Sequence, residues 1–304
     1  MTHFRITVLG CGSAMPTTYR NPTSQLIEVN EKLFMIDCGE GTQLQMRKYK
    51  AKMTKLHSIF ISHLHGDHVF GLPGLLSTLS LMGKTGEINI YAHKELEMFL
   101  EPFIKYFGTQ LSYKINHIHI NPHEHHTLYE NNSIKVSSFP LKHRIHTNGF
   151  IIEEKPAPLH MKGDMIEFYN IPFSKIKDIK LGADFITDEG KIINNELLTT
   201  PPKEPRKYAY CSDTAYYPAI IPYIKGVDVL YHEATFEQAY LARAKKTYHS
   251  TSKQAAEIAK QAEVKKLIIG HYSSRYKELD NLLDEAKGVF ENTFLAFEGQ
   301  KIDL

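Results

Sequence analysis

Cysteine is scarce in this 304-residue chain: Cys11, Cys38 and Cys211 stand far apart, with no CxxC pair. That excludes a disulfide framework and a cysteine-based zinc ribbon, and it fits a reducing compartment. No apolar run approaches 20 residues, and the N-terminus does not read as a signal peptide. The expectation is a cytoplasmic protein with no membrane partner. Charge of one sign is not in excess either, at a formal net charge of +2. A nucleic-acid partner would therefore have to be held by local patches. Internal repeats and low-complexity tracts are missing. Gly10-Cys11-Gly12-Ser13 opens like a dinucleotide loop, but Met15 stands where the third glycine belongs, and a hairpin follows instead of a helix.

Histidine, by contrast, is abundant, with 17 residues. Four potential ligands, His63, His65, Asp67 and His68, fall within HLHGDH. In extended chain, side chains two apart share a face, so His63 and His65 can grip one ion together. A turn at Gly66 lets Asp67 and His68 project towards a second. Imidazole nitrogen and carboxylate oxygen suit zinc. His143 closes SFPLKH, Asp213 closes AYCSD and His271 closes LIIGH; each follows an apolar strand whose end can converge on one sheet edge. A second group, His117, His119, His123, His125 and His126, reads as a surface strand, because Thr127 replaces the second histidine of a zincin motif. His146 and His160 compete with His143 but lie outside PLKH.

The pattern predicts strands over 4–9, 24–29 and 32–37, a helix over 41–52 and a buried strand over 58–62. A buried helix over 72–82, a strand over 88–92 and a helix over 96–107, interrupted at Pro102, come next. Alternating strands fill 113–155, with a turn at Asn131-Asn132. Buried strands follow at 208–212, 227–232 and 266–271, with helices over 252–262 and 279–290 and a closing strand at 293–297. The stretch 155–207 holds six prolines and no sustained periodicity, which marks a functional arm or insertion. The remainder argues for one α/β domain with covering helices.

These motifs resemble ribonuclease Z of the metallo-β-lactamase superfamily. HxHxDH is the superfamily signature. HLHGDHVFGLPGLL, PLKH at 140–143, CSDT at 211–214, HEATF at 232–236, HST at 249–251 and GHYSSRY at 270–276 narrow it. PTTYRN at 16–21 and DCGEGTQ at 37–43 also match, so the resemblance spans nearly the whole chain. It implies an αββα sandwich, two mixed β-sheets face to face with helices outside, as one domain over 1–304. It implies two Zn2+ per subunit: His63, His65 and His143 on one, Asp67, His68 and His271 on the other, Asp213 bridging. The implied reaction removes the 3′ trailer of precursor tRNA just beyond the discriminator nucleotide, leaving a 3′-hydroxyl. Asp67 would accept or orient the proton of the attacking water, His249 would be the general acid, and Glu233 would orient His249. Another hydrolase of the superfamily, arylsulfatase-like or acting on small phosphodiesters, stays open as an alternative, as does a noncatalytic RNA-binding relative.

For RNA, backbone contacts matter more than base reading, because A-form helices hide their base edges. The run 45–57 holds five Lys/Arg and no acidic residue, and offers Arg47, Lys48 and Lys50 as a phosphate track. In the family a tRNA-binding arm occupies the place of about 155–207. Here Lys175, Lys177 and Lys180 are its candidate contacts, while nine Lys/Arg against eight Asp/Glu make it a divergent arm. Arg20 of PTTYRN could contact phosphate and Tyr19 could stack on a base; Thr18 replaces the basic residue usual in that loop. The resemblance also implies a homodimer.

Overall fold

Two seven-stranded sheets carry the fold in this computed structural model, which describes residues 3–106 and 111–304. The first sheet runs from the edge strand Lys301–Asp303 through Phe4–Gly10, Ser24–Val29, Lys32–Cys38, Leu56–Phe60 and Glu87–Ala92 to Lys114–His119. Its first half is antiparallel and its second half, from Lys32–Cys38 onward, is parallel. The second sheet runs Thr293–Leu295, Leu267–Gly270, Val229–Glu233, Lys207–Cys211, Asn148–Glu154, Ile134–Pro140, His126–Glu130. Its first four strands are parallel.

Side-chain alternation explains the layering. In Lys32–Cys38, Phe34 and Ile36 point into the core shared with the second sheet, while Leu33 and Met35 point to the helices outside. Both faces are therefore apolar, as a strand buried on both sides requires. The shared core joins Phe4, Ile6, Val8 and Phe60 of the first sheet to Val136, Phe150, Tyr208 and Tyr210 of the second. Leu72, Leu75, Leu76 and Leu79 of the helix Leu72–Leu81 cover the outer face of the first sheet. Ala255, Ala256, Ile258 and Ala259 of the helix Ser252–Gln261 pack on the second. That helix begins with a capping box, Thr251 with Gln254, which fixes where the preceding HST segment stops. The architecture is the αββα sandwich of the metallo-β-lactamase fold.

Boundaries differ from expectation for local reasons. The helix expected over 41–52 spans only Thr42–Lys48, because Lys50 turns left-handed at φ 56°. Pro102 does not interrupt the helix Lys94–Tyr106, and residue 107 lies outside the described residues. The edge strand Lys301–Asp303 is too short to carry a period and was not expected. The contacts divide the chain into two units, Glu154–Pro205 and the rest. Glu154–Pro205 is not irregular: it holds the helices Gly163–Phe168, Phe173–Lys180 and Asn195–Leu198 and two small ladders. Ile171, Ile179, Phe185, Ile193 and Leu198 form its own apolar cluster, too sparse along the chain to show a period.

Candidate metal centre and active site

Strand ends deliver the ligands. His63 lies three residues beyond Leu56–Phe60, His143 three beyond Ile134–Pro140, Asp213 two beyond Lys207–Cys211 and His271 directly after Leu267–Gly270. Because neighbouring strands of the second sheet are parallel, their C-terminal ends open on the same edge, where crevices form. Asp37, Asp213 and His271 all take left-handed backbone, at φ 55°, 60° and 58°. Such a conformation costs about 1–3 kcal/mol for a non-glycine residue and persists where surroundings impose it. Asp213 and His271 take it just beyond their strands, and Asp37 takes it where the register shifts between Ile36 and Cys38. Two glycines allow the loops carrying these groups to touch: a Cβ on Gly71 would lie 2.0 Å from the Gly39 carbonyl oxygen.

Seven side chains converge. His63, His65, His143 and Asp213 form one group, and Asp67, His68 and His271 a second, each with donor atoms within 4.8 Å of one another. Asp213 divides its oxygens between the groups. Its Oδ2 lies 3.5 Å from His63 Nε2 and 3.7 Å from His143 Nε2, and its Oδ1 lies 3.2 Å from His68 Nε2 and 3.0 Å from His271 Nε2. Most rings are held through their other nitrogen. His68 Nδ1 pairs with Asp37 Oδ2 at 2.8 Å, His143 Nδ1 with the Tyr248 carbonyl at 2.9 Å, His271 Nδ1 with Thr235 Oγ1 at 3.1 Å and His63 Nδ1 with Ser62 Oγ at 3.0 Å. This is how ligating histidines are oriented, with Nε2 left for an ion. Asp37 is itself fixed by Ser62 and by Tyr210, whose hydroxyl donates to Oδ2 at 2.8 Å.

The residues fit a cation. His63 Nε2 and His65 Nδ1 face each other at 2.9 Å, and His68 Nε2 is buried without a hydrogen bond. Burial disfavours charge on His68, yet Asp37, Asp213 and Asp67 outweigh it and raise its pKa well above the usual value. A place that draws a proton this strongly favours positive charge. Burial also opposes ionisation of Asp213 and Asp67, but His271, His68 and His63 around Asp213, and His68 and His271 around Asp67, lower both carboxyls. Burial and the neighbouring His68 push His63 down to about 3, which leaves a neutral, ligand-competent ring.

Beside the cluster, His249 Nδ1 donates to Glu233 Oε1 at 2.9 Å. Glu233 is fully buried and also accepts from the Thr214 amide at 2.7 Å, the Thr235 hydroxyl at 2.6 Å and the Ser250 amide at 3.1 Å. Burial opposes charge on His249, but Glu233 outweighs it and raises its pKa to about 9. Asp67 Oδ2 accepts from the Ala14 amide at 2.7 Å.

A cavity of about 760 Å3 opens over Asp67, His65, His143, Asp213, His249 and His271. Arg144, Arg243 and Arg275 line it, with Phe70 and Phe236. Arg275 lies over the rings of Tyr240 and Phe236, at 4.6 and 5.1 Å from their centroids. These three arginines escaped sequence reasoning, since they lie about 100 and 32 residues apart along the chain and only the fold brings them to one cavity. Arg47, Lys48 and Lys50 are exposed and do not line this cavity. Arg20 is turned inward, its guanidinium donating to the Tyr276 and Lys277 carbonyls at 2.8 and 2.7 Å, and Tyr19 donates to the Ser274 carbonyl at 3.0 Å. Lys175 and Lys177 are exposed and Lys180 half-buried, all within Glu154–Pro205. Of the second histidine group, exposed His119 pairs with half-buried Glu97 at 2.6 Å.

Sandwich and cluster together define a metal-binding protein of the metallo-β-lactamase fold. Ribonuclease Z of Parabacteroides distasonis is 51% identical over 304 residues, covering all of both chains, and that of Porphyromonas gingivalis is 50% identical over the same span. The human tRNase Z short form superposes with a TM-score of 0.70 at 26% identity, covering 98% of each chain. YhfI of Bacillus subtilis, at a TM-score of 0.70 and 19% identity over 99% of this chain and 100% of its own, shares the fold. Residues 4–170 also match the family model described as Anti-Pycsar protein Apyc1, a stretch that holds HLHGDH but ends before Asp213, Glu233, His249 and His271. The chain belongs to the ribonuclease Z family.

Proposed function

We propose that this protein is a zinc-dependent endoribonuclease that removes the 3′ trailer of precursor tRNA. It hydrolyses the phosphodiester just beyond the discriminator nucleotide and leaves a 3′-hydroxyl. The observation that carries the reading is the buried Glu233–His249 pair, set at the rim of the metal cluster inside an arginine-lined cavity. The full-length kinship with proteins named ribonuclease Z supports it.

Two zinc ions fit the donor set. His63, His65 and His143 would hold one; Asp67, His68 and His271 the other; Asp213, with its oxygens turned to either side, would bridge them. When bound, such a pair supplies Lewis acidity at a phosphoryl oxygen and acidifies a water at neutral pH. The chain's own groups do the rest. Asp67 orients the proton of the attacking water. Glu233 fixes the Nδ1–H of His249, so Nε2 carries the proton that the leaving 3′-oxygen needs. Arg144, Arg243 and Arg275 offset phosphate charge around the scissile bond.

Outside the cavity, Arg47, Lys48 and Lys50 form a phosphate track, and Lys175, Lys177 and Lys180 make Glu154–Pro205 a divergent tRNA-binding arm on a single catalytic domain. Arg20, which donates to two backbone carbonyls, shapes the loop at 16–21, and its intact positive charge attracts phosphate there. The protein works as a cytoplasmic homodimer, which light scattering would check. No helix among the described residues is long and apolar enough to cross a membrane.

The test is purified protein with a 3′-extended precursor tRNA, its metal content measured and its cut site mapped. One cut beyond the discriminator, abolished by chelation, is expected. Turnover of a small sulfate or phosphate ester with no precursor cut would favour another hydrolase of the superfamily. RNA binding that survives chelation without turnover would favour a noncatalytic relative.

A further inference from the structure

A second cavity, also about 760 Å3, lies between the loop 140–147 and the turn Pro218–Ile220. His143 and Arg144 line both it and the metal cavity, so the two adjoin. Among the described residues its lining holds no carboxylate. Arg144 is exposed, and no described side chain pairs with its guanidinium. Tyr223 is engaged by His125 and Phe139, with ring centroids at 5.1 and 5.5 Å. Tyr217, half-buried in the wall, has no ring partner among the described residues. At the rim the exposed rings of His123 and His146 meet edge to face, 4.7 Å apart.

We propose that this cavity is a nucleotide subsite for the single-stranded RNA trailer, with Tyr217 stacking a base and Arg144 holding its phosphate. The inference rests on the endonuclease reading above and adds where the discarded strand runs. An unpaired aromatic ring beside an unpaired guanidinium is the pairing that binds single-stranded nucleic acid without demanding a sequence. A trailer is single-stranded and of no fixed sequence, whereas an acceptor stem is a duplex read by shape. The direction follows from the bond broken. Hydrolysis cleaves the bond between phosphorus and the 3′-oxygen; the water oxygen goes to phosphorus and a proton goes to the 3′-oxygen. The phosphoryl group therefore leaves with the trailer, and the proton donor stands on the tRNA side. His249, with Arg243, Thr247 and Ser273–Arg275, lines the metal cavity alone. The strand on the phosphoryl side is left the path past Arg144.

Precursor tRNAs with an intact or an abasic nucleotide at each of the first trailer positions test this, with kcat and KM measured separately. Removing the base at one position should raise KM about tenfold for the native protein, as the loss of one stacked base does. In Tyr217→Ala the same removal should change nothing further, while Tyr217→Phe behaves as the native protein. Arg144→Ala, a truncation on the surface, should raise KM and reduce the salt slope of precursor binding by about one charge. Mature tRNA, which has no trailer, should bind Tyr217→Ala as tightly as the native protein. Native protein that cuts intact and abasic trailers alike overturns the subsite and leaves the endonuclease reading standing. So does an abasic penalty that persists in Tyr217→Ala, or mature tRNA weakened as much as precursor. Native protein that cuts no precursor overturns the reading beneath and the subsite with it.

Discussion

Replacing Glu233 by glutamine removes a charge that four hydrogen-bond donors leave no room to replace. The carboxylate accepts from His249, Thr214, Ser250 and Thr235 with both oxygens, so a side-chain amide must turn its NH2 onto at least one donor. An unmade buried hydrogen bond costs about 1–3 kcal/mol, so Glu233→Gln should melt several degrees lower and yet fold. The larger effect is on His249. With Glu233 its pKa stands near 9, so the ring is protonated throughout neutral pH. Without that carboxylate the strongest raising influence is gone; Asp213 and Asp67 still oppose burial, but the pKa falls. The sign is fixed by the role: a general acid works protonated, so activity is lost as pH rises through its pKa. At pH 7.5 a ring with a pKa of 6.5 is only about one-tenth protonated. A fall to that ordinary value would cost about tenfold in kcat/KM at that pH, and misorientation should carry the total towards about 10²–10³. The assay is a pH profile of kcat/KM on a precursor tRNA from pH 5.5 to 9.5. The basic limb should move to lower pH, and part of the deficit should be regained near pH 6. A profile that only drops, with its basic limb unmoved, would refute the general-acid assignment and leave Glu233 a structural anchor.

Four further outcomes are expected. Asp37→Asn should weaken metal affinity by about 10- to 100-fold, seen in competition with a chromogenic chelator, because it removes the charge that aims His68 and leaves one oxygen where two accept. Asp213→Asn should lower the metal stoichiometry measured by atomic emission below that of any single histidine variant, since both of its oxygens face donor groups. Adding zinc to chelated protein at about a thousand times its dissociation constant should stabilise it by about 4 kcal/mol, read as a raised melting temperature. Gly71→Ala should destabilise by about 1–3 kcal/mol in denaturant titration, because its methyl would strike the Gly39 carbonyl; an unchanged midpoint would show that the two loops can part.

The residues that converge as candidate metal ligands were legible because they cluster at strand ends and keep short fixed spacings, HLHGDH above all. The pairing of Glu233 with His249 was legible only through the family's motifs; 16 residues separate them, and no local rule joins them. Asp37 was quoted within DCGEGTQ, but its grip on His68 across 31 positions is a tertiary fact. Arg144, Arg243 and Arg275 were passed over for the basic run 45–57, because a run is conspicuous in sequence whereas convergence in space is not. Helices within 155–207 were hidden for a related reason: a cluster of five buried residues is enough to fold a small unit but too little to print a period. Arg20 was read for its charge alone, whereas its hydrogen bonds to two carbonyls more than 250 residues away are a tertiary fact.

The left-handed backbone at Asp213 and His271 has a consequence for how this sequence could drift. At each place glycine would relieve strain, so apart from ligation it would be the more comfortable residue. Heat selection on the empty scaffold, with no demand for turnover, should thus erode the very positions that give the molecule its purpose. Robustness and usefulness pull in opposite directions at two single residues, and a laboratory lineage bred for hardiness alone would record that conflict as glycines accumulating where the ligands once stood.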